Sequence, residues 1–126
     1  DIFSPCARGG AINAQTIEQL KCAAIVGAAN NQLSDDKYGD LLHEKGILYA
    51  PDYIVNAGGL IQVADEIEGY CEERALSKTR AIHDILLQIY QRSKKENIPT
   101  CRAADRIVLE RLERVADVRR IFLGCS

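Results

Sequence analysis

Three short clusters in this sequence combine small residues with polar groups that carry no charge: Ser4-Pro5-Cys6-Ala7, Gly27-Ala28-Ala29-Asn30-Asn31 and Asn56-Ala57-Gly58-Gly59. An asparagine amide offers both a donor and an acceptor, and a glycine has no Cβ to hold a ligand away from the main chain. Together they suit a flat, polar, uncharged group laid against backbone. No Lys, His, Asp or Glu falls within any of the three, so they contain no general acid or base. His43 and His83 lie in segments of helical periodicity, where solvent or an ordinary partner accounts for them. Neither G-x-G-x-x-G nor G-x-x-x-x-G-K-S/T occurs, so no phosphate-cradling motif is present. The five cysteines (Cys6, Cys22, Cys71, Cys101 and Cys125) form no C-x-x-C or Cys/His ligand pattern, and their odd number speaks against a disulfide framework. Reduced thiols in a cytoplasmic protein are expected.

Each cluster ends a short apolar run, and each is followed by an amphipathic segment. "DIF" precedes "NAQTIEQLK", "AAIVG" precedes "SDDKYGDLLHEKG", and "ILYAPDYIV" precedes "AGGLIQVADEIEG". Strand and helix in alternation predict a parallel sheet with crossover helices, and in such a sheet ligands bind beyond the carboxyl ends of the strands. The three clusters would sit there. Asn13 or Thr16 can cap the first helix, Ser34 with Asp35 and Asp36 can open the second, Gly46 can stop it, and Asn56 can cap the third. Beyond Cys71, apolar residues at Leu76, Ile82, Leu86, Ile89 and Tyr90 predict one long helix over residues 72–96. Pro99 breaks it, Thr100 can cap again, and Ala104, Ile107, Val108, Leu112 and Val115 mark a last helix. Along that helix, Arg106 with Glu110 and Glu110 with Arg114 are spaced as weak surface ion pairs.

At 126 residues and 47% apolar content the chain can build a real core, and no apolar run approaches the ~20 residues of a membrane span. Residues 1–71 hold four Lys/Arg against ten Asp/Glu, and residues 72–126 hold twelve against eight. The basic half lacks the unbroken basic stripe and interleaved aromatics of a nucleic-acid surface, so no nucleic-acid partner is expected. The chain opens at Asp1 directly into "DIFSP" and contains no Met, which suggests a piece of a longer protein.

Four stretches, "DIFSPCA", "AAIVGAANNQL", "GDLLHEKGILYAPDYIVNAGGLIQVADE" and "NIPTCRAADRI", resemble the NAD-binding domain of the glutamate, leucine, phenylalanine and valine dehydrogenases, and most of all the leucine enzymes. The likeness runs in register over nearly the whole chain. It implies a partial Rossmann-like α/β fold: about three parallel strands with flanking helices in residues 1–71, the nicotinamide side of a dinucleotide-binding domain, and packed C-terminal helices in residues 72–126. It also implies NAD as cofactor and oxidative deamination of an L-amino acid as the activity. By resemblance, Cys6, Ala7, Asn30 and Asn31 border the nicotinamide ribose and carboxamide, and Asn56 lies where ribose and substrate meet. Leu60 and Val63 match residues lining the substrate side-chain pocket. The glutamate enzymes carry a hydroxyl at the position of Val63, so this aliphatic pair implies a branched-chain substrate such as leucine.

The family's glycine-rich phosphate loop, its acidic ribose-binding residue and its amino-terminal domain with catalytic Lys and Asp have no counterpart in these residues. The resemblance therefore implies a fragment, inactive alone and weak in NAD binding, that begins at the fourth strand of the parent sheet. An unpaired strand edge and the uncovered Leu76, Leu86 and Tyr90 would favour a homo-oligomer. The competing reading is a non-catalytic, self-associating module built from half of this fold.

Overall fold

The computed structural model describes residues 1–123, with side chains to residue 116; Cys125 lies outside the described residues. Three strands, β1 (Ile2–Phe3), β2 (Ala24–Ile25) and β3 (Leu48–Tyr49), form a parallel sheet in the order β1-β2-β3. Ile2 pairs with Ala24, which pairs with Leu48, and Phe3 pairs with Ile25, which pairs with Tyr49. The helices are α1 (Lys37–Glu44), α2 (Asp52–Val55), α3 (Gly58–Ile67), α4 (Glu72–Glu96) and α5 (Thr100–Leu123). The expected α/β architecture with three parallel strands and a helical C-terminal segment is therefore present. Among the described residues no helix is long and apolar enough to cross a membrane.

Several boundaries differ from expectation, each for a local reason. "NAQTIEQLK" makes a single 3-10 turn at Ile17–Gln19. Asn13 Oδ1 accepts the N–H groups of Gln15 and Thr16, and Thr16 Oγ1 donates to the carbonyl of Ala11. Asn13 thus caps the first turn as expected, and the Thr16 hydroxyl is turned back to the chain before it. Before α1 it is Asp35, and not Ser34, whose carboxylate accepts the Lys37 N–H. The third strand stops at Tyr49 and does not run to Val55. Pro51 has no N–H for a sheet ladder, and the Pro-Asp step opens the one-turn helix α2. Asn56 consequently ends α2 and does not cap α3, which begins after Ala57 with no side-chain cap. Thr100 starts α5, yet its hydroxyl donates to the carbonyl of Tyr49 at 2.7 Å and caps nothing.

Other signals hold. Gly46, at φ +69°, turns the chain out of α1 in the left-handed region. The long helix spans Glu72–Glu96 and ends on Asn97, also left-handed at φ 51°.

One apolar cluster, Ile12, Ile17, Ile25, Tyr38, Leu42, Ile47 and Tyr49, fills the space between the sheet and α1. A second, of Ile89, Ala103 and Ala104 with Ile54, Tyr90, Ile98 and Ile107 against them, joins α4, α5 and α2. Tyr90 is thus packed and Leu86 half-buried, while Leu76 stays 45% exposed. Arg92 bridges α4 and α5 by donating to both carboxylate oxygens of Glu110 while also holding Glu96. Arg106 reaches Glu96 at 2.5 Å and not the expected Glu110, which takes Arg92 and, at 4.0 Å, Arg114. The turn between α3 and α4 is clamped by Asp65, fully buried, which accepts from Arg74 at 2.5 Å and from the Cys71 N–H at 2.7 Å, with Lys78 at 3.7 Å.

Candidate functional site

Beyond β1 and β2 the first two clusters are stitched together through backbone. Pro5 carbonyl accepts the Ala29 N–H at 3.0 Å, and the Ala28 N–H points to Cys6 Sγ at 3.5 Å. Gly27 permits this approach, because a Cβ there would stand 2.2 Å from the Pro5 carbonyl oxygen. The chain then turns at Asn31, whose φ of 51° lies in the left-handed region that asparagine tolerates best among residues with a side chain. Gly10 N–H donates to Asn31 carbonyl at 2.7 Å and Ile12 N–H to Gln32 carbonyl at 2.9 Å, so residues 10–12 run alongside this loop.

The third cluster lies after α2, one turn beyond the strand end where it was expected, and still meets the second. Asn56 Nδ2 donates to Asn30 Oδ1 at 2.6 Å, linking residues 26 positions apart. Asn30 is exposed and Asn56 half-buried. The Asn30 amide nitrogen, the second N–H of Asn56 and the Asn56 amide oxygen make no hydrogen bond to other described residues, so the pair keeps N–H donors on both nitrogens and an acceptor on Asn56.

Of the other expected residues, Cys6 is exposed, with Ser4 Oγ 3.3 Å from its sulfur. The Ala28 N–H and then the Ser4 hydroxyl hold its pKa below the ordinary thiol value. Ala7 is exposed beside it. Asn31 turns to a cleft of about 590 Å³ that Asp52, Tyr53, Cys101 and Asp105 also line. Burial raises the pKa of Tyr49, Tyr53 and Cys101 in that neighbourhood, which keeps all three protonated near neutral pH. Leu60 and Val63, 73% and 58% exposed, lie one turn apart on α3 and present an uncovered apolar face. His43 Nε2 lies 3.2 Å from Asn97 Oδ1 and His83 Nδ1 3.1 Å from Asp84, and neither bonds to the amide pair. Among the described residues no group of three or more His, Cys, Asp or Glu side chains could hold a metal ion.

Two residues that sequence reasoning passed over support the pair. Gln32 is completely buried, and its Nε2 donates to the carbonyls of Gly27 at 2.7 Å and Ala29 at 2.9 Å. Its backbone N–H donates to Asp52 Oδ2 at 2.9 Å, while Asp52 Oδ1 accepts the Tyr53 N–H at 2.8 Å. A lone carboxylate inside the apolar run "ILYAPDYIV" was the available signal for Asp52.

The family model of the Glutamate/Leucine/Phenylalanine/Valine dehydrogenases matches residues 1–120. The phenylalanine dehydrogenase of Thermoactinomyces intermedius is 63% identical over 123 residues, covering 98% of this chain and 34% of that protein. The leucine dehydrogenase of the same organism is 51% identical with the same coverage. Among solved structures, the L-tryptophan dehydrogenase from Nostoc punctiforme superposes with a TM-score of 0.88 at 46% identity, over 90% of this chain and 34% of that one. A glutamate dehydrogenase from Peptoniphilus asaccharolyticus, at 17% identity and a TM-score of 0.74 over 92% of this chain and 31% of that one, shares the fold. The chain therefore spans about a third of the length of the curated relatives it matches. With the model matched along almost all of the chain and the fold shared, the protein belongs to the Glutamate/Leucine/Phenylalanine/Valine dehydrogenase family.

Proposed function

We propose that these residues form the nicotinamide side of an NAD-dependent dehydrogenase that oxidatively deaminates an apolar L-amino acid, leucine or another branched-chain substrate, to its 2-oxo acid. The observation that carries this reading is the Asn56–Asn30 contact, which joins two uncharged amides beyond the sheet and leaves N–H donors on both and an acceptor oxygen on Asn56. That donor set fits a ribose hydroxyl or a carboxamide, the polar groups at the nicotinamide end of the cofactor. Asn30 and Asn31, with Cys6 and Ala7 on the neighbouring loop, would border that end. Asn56 would orient ribose and substrate together, and Leu60 and Val63 would touch the substrate side chain. When bound, NAD supplies a hydride acceptor for the substrate Cα–H. Water then releases ammonia from the imino acid, and the proton transfers that this requires fall to groups outside these residues.

The 63% identity to a protein named phenylalanine dehydrogenase favours a second reading, an aromatic substrate on the same apolar face. Formation of NADH by a longer protein carrying this chain, followed with leucine and with phenylalanine, tests both. Leucine with the higher kcat/KM supports the first reading, and phenylalanine the second. Absence of NADH with every apolar amino acid overturns both and favours the self-associating module. The chain alone is expected to give no NADH above a buffer control and to bind NAD weakly; a micromolar dissociation constant would contradict this.

A further inference from the structure

We propose that Gln32 and Asp52 are positioning residues that set the spacing of the Asn30–Asn56 amide pair through a closed ring of hydrogen bonds, buried at Gln32 and Asp52. The proposal rests on the function assigned to that pair. The ring can be followed bond by bond. The Gln32 side chain donates to Gly27 and Ala29 carbonyls at 2.7 and 2.9 Å, folding the loop that presents Asn30 back upon itself. The Gln32 N–H donates to Asp52 Oδ2 at 2.9 Å, which ties the loop to the first residue of α2. Within α2 the Asn56 N–H donates to the Asp52 carbonyl at 3.0 Å, and the Asn56 side chain returns to Asn30 at 2.6 Å. Both amides therefore hang from one rigid frame.

Two features separate this arrangement from simple packing. Gln32 Oε1 is buried with no hydrogen-bond partner among the described residues. A methionine or leucine would fill the same space without the unpaired Oε1 but would take the side-chain donor from the Gly27 and Ala29 carbonyls, so what the glutamine uniquely supplies is its two N–H donors to the loop. The amide cannot be turned to relieve the acceptor, because its oxygen would then face two carbonyls. Asp52, 8% exposed, makes no ion pair among the described residues and is held by backbone N–H groups of Gln32 and Tyr53. A buried carboxylate satisfied by main chain is a fixed joint, since any shift of loop or helix removes a donor from a charge.

The test has one readout without activity and one with it. In the ligand-free chain, Gln32→Met should lower the thermal midpoint, because the Gly27 and Ala29 carbonyls lose their side-chain donor, and should move or broaden the NMR signals of the Asn56 side-chain amide. In the longer protein the same change should lower kcat by about tenfold to a hundredfold, the range for misplaced reacting partners, with KM for the amino acid little changed. Combined with Asn56→Ala it should add no further loss. Unmoved Asn56 amide signals, an unchanged kcat, or losses that multiply independently with Asn56→Ala would overturn the proposal. If Gln32→Met does not fold, Asp52→Asn must move the same signals, and their constancy would overturn it equally. A wild-type protein that oxidises no amino acid refutes the proposed function alone, because the NMR comparison still decides whether the ring holds the pair.

Discussion

Asn56 ends α2 through its backbone, while its side chain gives one amide hydrogen to Asn30 and caps no helix, so its replacement separates function from folding more cleanly than loss of a side-chain cap would allow. Asn56→Ala removes a half-exposed hydrogen bond, a net loss of about 0.5–1.5 kcal/mol. Thermal unfolding should change correspondingly little, while kcat of the longer protein should fall at least about tenfold. A lower midpoint with full turnover would make the residue structural. The thiols make a second comparison: Cys6 is exposed with its pKa lowered by the Ala28 N–H and Ser4, whereas burial raises Cys101. Alkylation by iodoacetamide near neutral pH, mapped by mass spectrometry, should mark Cys6 well before Cys101; equal rates would contradict the geometry. Asn30, Asn56 and Cys6 were legible because their types and the strand pattern point to one edge. Gln32 was not, since glutamine is ordinarily exposed and only the fold reveals where a loop doubles back over its own side chain.

Helix α4 was legible to the residue because sustained periodicity and the break at Pro99 leave no competing local choice. The segment from Pro51 to Asn56 was misread because an apolar run before a glycine pair looks like a strand, and the Pro-Asp step inside it outweighs that pattern. The turn joining α3 to α4 depends on Asp65, whose pKa is lowered by Arg74 first, then by the Cys71 N–H. A lowered folded-state pKa adds stability that is fully present above the unfolded value of about 3.9 and is lost as pH falls through the folded value. Asp65→Asn should therefore melt below the wild type near neutral pH, and the gap should close under acid conditions below about pH 3.9. Thermal melts across that range check this; a gap independent of pH would mean that shape, and not charge, holds the turn.

Over the whole molecule the two outer edges of the sheet differ. By strand alternation Ile2 turns its N–H and carbonyl away from β2, and its side chain is 69% exposed. At the other side, Tyr49 turns its carbonyl outward and finds the Thr100 hydroxyl at 2.7 Å, with α5 in contact with β3. An open apolar edge is a template for another strand. The chain should therefore pair with a second copy, and sedimentation at ~100 μM, within the range where exposed edges drive association, should show a dimer. A clean monomer there would mean that β1 is covered in solution. The asymmetry also sets a limit on what such pairing can build. Elongation needs an acceptor end on every unit added, and Thr100 acts on β3 as a chain terminator acts on a polymer. On that expectation two copies would join through β1, and among the described residues the β3 edge would offer a third copy no free Tyr49 carbonyl at which to add.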